Sequence, residues 1–216
     1  MKLRRSNFSY DFCQYSTQFL MHCTHKIVYD GLENIPEKGP ALVLAKHQSY
    51  LDIIAEGMLL RTCKRRGSWL MKSGLPGVLE YLGGIKIQRL KDVNGNREKM
   101  RVQVHDAKQF NADSAEYIMW LYSQQEIVVV HPEGTRIPGK VGAIKKNMIE
   151  AAKEAESMYN LKIPLIPVGI EYLPSFPFST VHISAGNPVD ASAQGVEEII
   201  KSEIGKLSYI KAKACP

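Results

Sequence analysis

The chain has 216 residues, of which 44% are hydrophobic and 23% charged. Those proportions suit one globular domain with a real core and exclude a disordered or an integral membrane chain. The net charge of +6, with a pI near 9.0, points to an anionic partner: nucleic acid, acidic lipid headgroups or a phosphorylated substrate.

The amino terminus is basic (Lys2, Arg4, Arg5), but no continuous apolar stretch follows, so it does not read as a secretory signal. No apolar run approaches the roughly 20 residues that span a bilayer. A chain of this kind that works on lipid lies on the membrane rather than crossing it. Residues 8–28 carry a helical pattern: Phe8, Phe12, Tyr15 and Phe19 share a face, and Leu20, Cys23 and Ile27 extend it. That stripe has two readings, packing on the core or lying in a lipid interface. The stretch 31–40 holds Gly31, Pro36, Gly39 and Pro40 and reads as a loop.

Ala41–Ala45 is a short apolar run suited to a buried strand, and a helix is expected over 50–61. Further strands are expected at 68–72, 85–88, 126–131, 163–170 and 181–184, with helices at 97–122, 143–159 and 196–207. Strands alternating with helices predict an α/β fold with a largely parallel central sheet flanked by helices. Chemistry in such sheets sits outside the carboxyl ends of the strands, which singles out His47, Arg89 and 131–136. The basic-then-apolar run 64–71 reads as a lipid contact or, in its Trp69-Leu70-Met71 part, as a buried strand. The apolar stretch 75–82 is a candidate border for an acyl-chain tunnel.

Cys13, Cys23, Cys63 and Cys215 include no CxxC pair, so neither a zinc site, thioredoxin-type chemistry nor a disulfide framework is expected. The expected state is free thiols in a reducing compartment. A GxSxG elbow and a GxxxxGK[ST] loop are both missing, which disfavours a serine hydrolase and a P-loop protein. Basic residues are spread along the chain without a nucleic-acid motif, so no nucleic-acid partner is expected.

The segment Lys46-His-Gln-Ser-Tyr-Leu-Asp52 places a histidine just past a strand and an aspartate in the first turn of a helix. A carboxylate bonded to Nδ1–H fixes the imidazole tautomer, leaves Nε2 as a base and stabilises the imidazolium that forms. The plain alternative is helix capping by Ser49-x-x-Asp52, with His47 an ordinary strand-end residue. Both functions can coexist in one turn.

His47-Gln-Ser-Tyr-Leu-Asp52 resembles the HxxxxD box of the glycerolipid acyltransferases, the family that includes lysophosphatidic acid acyltransferases. Three further blocks follow in order: Gly83-Gly-Ile-Lys-Ile-Gln-Arg89, Val130-His-Pro-Glu-Gly-Thr-Arg136 and Ile163-Pro-Leu-Ile-Pro-Val-Gly169. The lead-in, Asp30-Gly-Leu-Glu-Asn-Ile-Pro36, is also similar, and the resemblance spans roughly residues 25–185. Departures from the common pattern are Lys46, where asparagine is frequent, Lys86, His131 in place of an apolar residue, and Ile137-Pro138.

The resemblance implies acyl transfer without a covalent enzyme intermediate. His47 and Asp52 are the implied catalytic pair, and Lys86, Arg89, Glu133, Gly134, Thr135 and Arg136 the implied substrate-binding set. Arg89 and Arg136 suit phosphate, since a guanidinium is a permanently charged planar fork; the alternative is ion pairing with acids such as Glu80 or Glu133. Glu133 either positions the acceptor or pairs with Arg136 or Lys140. Gly134 lets backbone approach a ligand or turn at positive φ. The donor is acyl-CoA or an acyl carrier protein thioester, and neither cofactor nor metal is implied. The expected acceptor is the sn-2 hydroxyl of lysophosphatidic acid, with glycerol 3-phosphate, another lysophospholipid or an aminoacyl lipid as the alternatives. The expected division is an amphipathic membrane-association segment, 1–28, followed by a catalytic domain, 29–216. The expected location is peripheral, on the cytoplasmic face of a membrane with anionic lipids. A non-catalytic lipid-binding module is the alternative from another class.

Overall fold

A computed structural model describes residues 1–88 and 97–209, without the side chains of 97–105, 107 and 209. The strands are β1 (His25–Asp30), β2 (Ala41–Ala45), β3 (Gly67–Lys72), β4 (Gly84–Ile87), β5 (Ile127–Val130), β6 (Leu165–Leu173) and β7 (Ser179–Ala185). The helices are α1 (Asn7–Thr24), α2 (Asp52–Thr62), α3 (Val78–Tyr81), α4 (Arg97–Ser123), α5 (Asn147–Tyr159) and α6 (Val196–Tyr209). The strands form one sheet in the order β1-β7-β6-β2-β5-β3-β4. Every neighbouring pair is parallel except the β6–β7 hairpin. The expected α/β fold with a largely parallel sheet is the fold observed.

β2 lies at the centre and is buried at every position, because its two faces enter two separate cores. Val43 and Ala45 pack with Ala55, Met58 and Leu59 of α2 on one side. Leu42 and Leu44 pack with α4, α5 and α6 on the other, through Leu121, Ile149 and Ile200. A strand covered on both faces reads as a continuous apolar run, which is why Ala41–Ala45 shows no alternation.

This arrangement creates the cleft. From β2 the chain passes through α2, on one face, to β3; from its neighbour β5 it passes through α5, on the opposite face, to β6. Adjacent strands whose connections leave in opposite directions open a crevice at their carboxyl ends, the usual ligand position in open α/β sheets.

One expectation for the amino-terminal region is corrected. The helix ends at Thr24 rather than 28, and His25–Asp30 is a strand paired with β7, Ile27 facing Val181. Ile27, Val28 and Tyr29 are branched or aromatic side chains that suit a pleated, half-buried surface, and β7 alongside supplies the ladder. The aromatic stripe faces away from the core. Phe8, Phe12, Tyr15 and Phe19 are 81%, 67%, 62% and 68% exposed, whereas Tyr10 and Met21 are buried. α1 docks through Tyr10, which stacks on Trp69, through the buried Gln14 and Met21, and through the Asp11–Arg66 ion pair.

The run 64–71 is structural. Trp69 is buried in β3, Arg65 donates to the carbonyls of Pro36, Gly39 and Gln125, and Arg66 is paired with Asp11. In the stretch 75–82, Leu75, Val78 and Tyr81 are exposed. Cys13, Cys23 and Cys63 are free thiols, and Cys215 lies outside the described residues.

Candidate active site

His47 leaves the end of β2 in a turn that Asp52, the first residue of α2, closes from the other side. Asp52 Oδ2 accepts from His47 Nδ1 at 2.9 Å and from the backbone N–H groups of Gln48 and Ser49 at 2.6 and 2.7 Å. Its other oxygen accepts from the Tyr172 hydroxyl at 2.7 Å. The carboxylate is wholly buried while the His47 side chain is 17% exposed, so the acid is sealed and the base is open to the cleft. Burial alone would raise the Asp52 pKa, but the bonds from His47, Ser49, Tyr172 and Gln48 outweigh it and hold the pKa below the ordinary value. Burial and the Asp52 charge push the Tyr172 hydroxyl well up, so it stays a donor.

Capping and histidine orientation are therefore one device. Asp52 closes the preceding turn through two backbone N–H groups and holds His47 with the same oxygen. Ser49 contributes less to capping than its spacing suggests: its Oγ accepts from Leu51 N, at 3.2 Å, ahead of the helix.

A second histidine adjoins the first. His131 follows β5, and its ring stacks on that of His47 with centroids 3.9 Å apart and planes 10° from parallel. Its Nε2 lies 2.8 Å from Glu56 Oε1, and the Trp69 indole N–H donates to Glu56 Oε2 at 2.7 Å. Burial alone would lower the His131 pKa; the Glu56 charge and hydrogen bond, with Asp52 and Glu133 behind them, reverse that and raise it.

The loop after β5 is fastened to the His47 turn. Lys46 Nζ, fully buried, bonds both oxygens of Glu133 at 3.0 and 2.8 Å and the Ile137 carbonyl at 2.7 Å. Glu133 Oε1 also accepts from Gly142 N at 2.6 Å, and Ile137 N donates to the His47 carbonyl at 3.0 Å. The expected partners of Glu133 are thus corrected: it pairs with Lys46, not Arg136 or Lys140, and its carboxylate faces inward. The reason is the β2–β5 adjacency, which brings position 46 beneath the loop while Arg136 and Lys140 stay at the surface.

Gly134 sits at φ +66°, and a side chain there would collide with the Lys145 ammonium. Thr135 and Arg136 are exposed on this loop, and the Arg136 guanidinium lies over the Tyr50 ring at 3.6 Å from its centroid. Lys86, on β4, is paired with Glu80 at 2.8 Å. Arg89 lies outside the described residues. The fold therefore gathers His47, Asp52 and the 133–136 loop at one crevice.

Sequence reasoning missed Tyr172, Glu56, Trp69 and Lys145. Glu56 alone left a signal, a charge four residues after Asp52 in the otherwise apolar Ile53–Leu60 and so on the same helix face. Tyr172 and Trp69 reach the site only through the sheet.

A base held by a buried carboxylate, with a fastened loop and cationic side chains around it, is equipped to activate a hydroxyl beside an anionic group. The sequence matches the acyltransferase family over residues 26–171, and the protein belongs to that family: it is an acyltransferase. None of the curated proteins matches the chain. Among solved structures the chain is similar to the 1-acyl-sn-glycerophosphate (LPA) acyltransferase PlsC from Thermotoga maritima, at 22% identity and a TM-score of 0.62. That alignment covers 94% of this chain and 79% of the other. At such identity the likeness is one of fold.

Proposed function

We propose that this protein is a 1-acyl-sn-glycerol-3-phosphate acyltransferase, moving a fatty acyl group from an acyl-CoA or acyl carrier protein thioester to the sn-2 hydroxyl of lysophosphatidic acid. The observation that carries the reading is the His47–Asp52 pair at the β2–β5 crevice. Asp52 Oδ2 already accepts two backbone N–H bonds and can only accept from His47 as well, so Nδ1 carries the proton and Nε2 is free as base. His47 takes the proton of the attacking hydroxyl, a contribution of about 100- to 10,000-fold. Asp52 stabilises the imidazolium, which then returns the proton to the leaving thiolate. Arg136, with Lys145 beside Gly134, holds the acceptor phosphate. Lys86 and Arg89 stay in the proposed substrate-binding set on the strength of their sequence block. No cofactor or metal takes part in this scheme.

The amino-terminal segment serves membrane association. An exposed stripe of Phe8, Phe12, Tyr15 and Phe19, with the exposed Lys2 and Arg4 ahead of the helix, supports peripheral binding to an anionic leaflet on the cytoplasmic face. Arg5 takes no part, because it is buried and paired with Glu126. Among the described residues, no helix is long and apolar enough to cross a membrane. The test is a panel of acceptors (lysophosphatidic acid, glycerol 3-phosphate, other lysophospholipids, aminoacyl lipids) with both donor classes. The expected product is phosphatidic acid from lysophosphatidic acid, abolished in a folded His47→Ala variant. Full turnover by that variant removes the mechanism, preference for another acceptor replaces the substrate, and lipid binding without turnover by any pair leaves a binding module.

A further inference from the structure

Asp52 and Glu56 stand one turn apart on α2, and each holds a histidine: Asp52 that of β2, Glu56 that of β5. The site thus contains two histidine–carboxylate pairs with their rings face to face, and acyl transfer by a single general base uses only one of them. We propose that His131, anchored by Glu56, is a positioning residue whose stacked ring fixes the plane of His47 and so aims Nε2 at the reacting hydroxyl. This rests on the reading of His47 as the base.

A hydrogen bond from Nδ1 to Asp52 leaves an imidazole free to swing about that contact. A flat partner at 3.9 Å and 10° removes the freedom on one side. The partner is itself immobile. His131 is nine-tenths buried at its side chain, Glu56 is almost wholly buried, and the Trp69 indole fixes the second Glu56 oxygen. A pair serving only to neutralise a buried carboxylate needs no ring parallel to another. The charged groups around His131 are Glu56 and Asp52 from α2 and Glu133 from its own loop, the last already bound by Lys46. Its bond to Glu56 and its ring face are therefore what His131 offers the site.

The test compares His131→Ala, which removes the ring, with His131→Phe/Glu56→Gln, which restores a flat ring while leaving no unpaired buried charge. Lysophosphatidic acid and oleoyl-CoA are the probes, circular dichroism checks folding, and imidazole NMR follows the His47 ring protons. In His131→Ala, kcat falls roughly 10- to 100-fold with KM within about twofold, the pattern of a misaimed base. The His47 ring-proton signals also move as the neighbouring ring current is lost. The double variant recovers kcat to within about threefold of wild type. Wild-type kcat in folded His131→Ala, unmoved His47 signals, or a folded double variant as slow as the alanine variant overturns the proposal. Moved His47 signals in a protein that turns over neither probe leave the positioning intact and count against the proposed reaction instead.

Discussion

The Lys46–Glu133 pair makes a quantitative prediction about how the site is held together. Both side chains are essentially inaccessible to water. Removing one partner strands the other as a buried charge, which costs about 3–5 kcal/mol. Glu133→Leu and Lys46→Met are each expected to lose that much. For a domain of this size about 1 kcal/mol corresponds to roughly 2–4 °C, so Tm should fall by roughly 6–20 °C in each. The double variant strands no charge, but it gives up the Lys46 bond to the Ile137 carbonyl and the Gly142 N–H bond to Glu133. Two backbone groups losing partners cost about 1–3 kcal/mol each if they stay dry and little if water reaches them. The double variant should therefore lie well above the sum of the singles, with a coupling of several kcal/mol in the cycle. Urea unfolding of the four proteins measures this. Additive losses, or a single variant costing under about 1 kcal/mol, refute the idea that a buried ion pair fastens the loop to the His47 turn.

Tyr172→Phe removes a donor from a buried carboxylate and should cost about 1–3 kcal/mol at pH 7, measured by urea unfolding. Because the Asp52 pKa is depressed, its contribution is present above the ordinary value of 3.8 and is lost as pH falls below that toward the folded-state value. The gap between wild type and Tyr172→Phe should accordingly narrow on acidification through that window. Phe12→Ser/Phe19→Ser should weaken binding to anionic vesicles by at least about tenfold in cosedimentation. The same change should move stability by no more than about 0.5 kcal/mol, since both side chains are exposed in the folded chain. Arg136→Ala should raise KM for a phosphate-bearing acceptor by roughly tenfold or more while leaving KM for the thioester within about twofold, read by steady-state kinetics with each substrate varied.

Most strands and helices were legible because their signals are short-range. An apolar run at 41–45 reports a strand covered on both sides, and the 3.6-residue recurrence reports α1. The end of α1 was not legible. Ile27 continues the helical spacing, and only the presence of β7 alongside makes the strand the better home for 25–30. The stripe on α1 shows the same limit: periodicity identifies a common face but not the direction in which it points.

At the site, the five-residue step from His47 to Asp52 was enough to bring these two side chains together, since a turn between a strand end and a helix start does so whatever the rest of the fold does. What surrounds them is a consequence of strand order. With β2 between β6 and β5, Tyr172 reaches Asp52 from one side, while His131 and Glu133 reach His47 and Lys46 from the other. Lys46 and His131 read in the sequence as departures from a pattern; in three dimensions each is bonded to a buried carboxylate. The sequence alone determined the α/β class, the adjacency of His47 and Asp52, and the family. Tertiary structure decided which charges meet, which faces are wet and what packs against His47, because those depend on contacts between residues dozens of positions apart that no local spacing encodes.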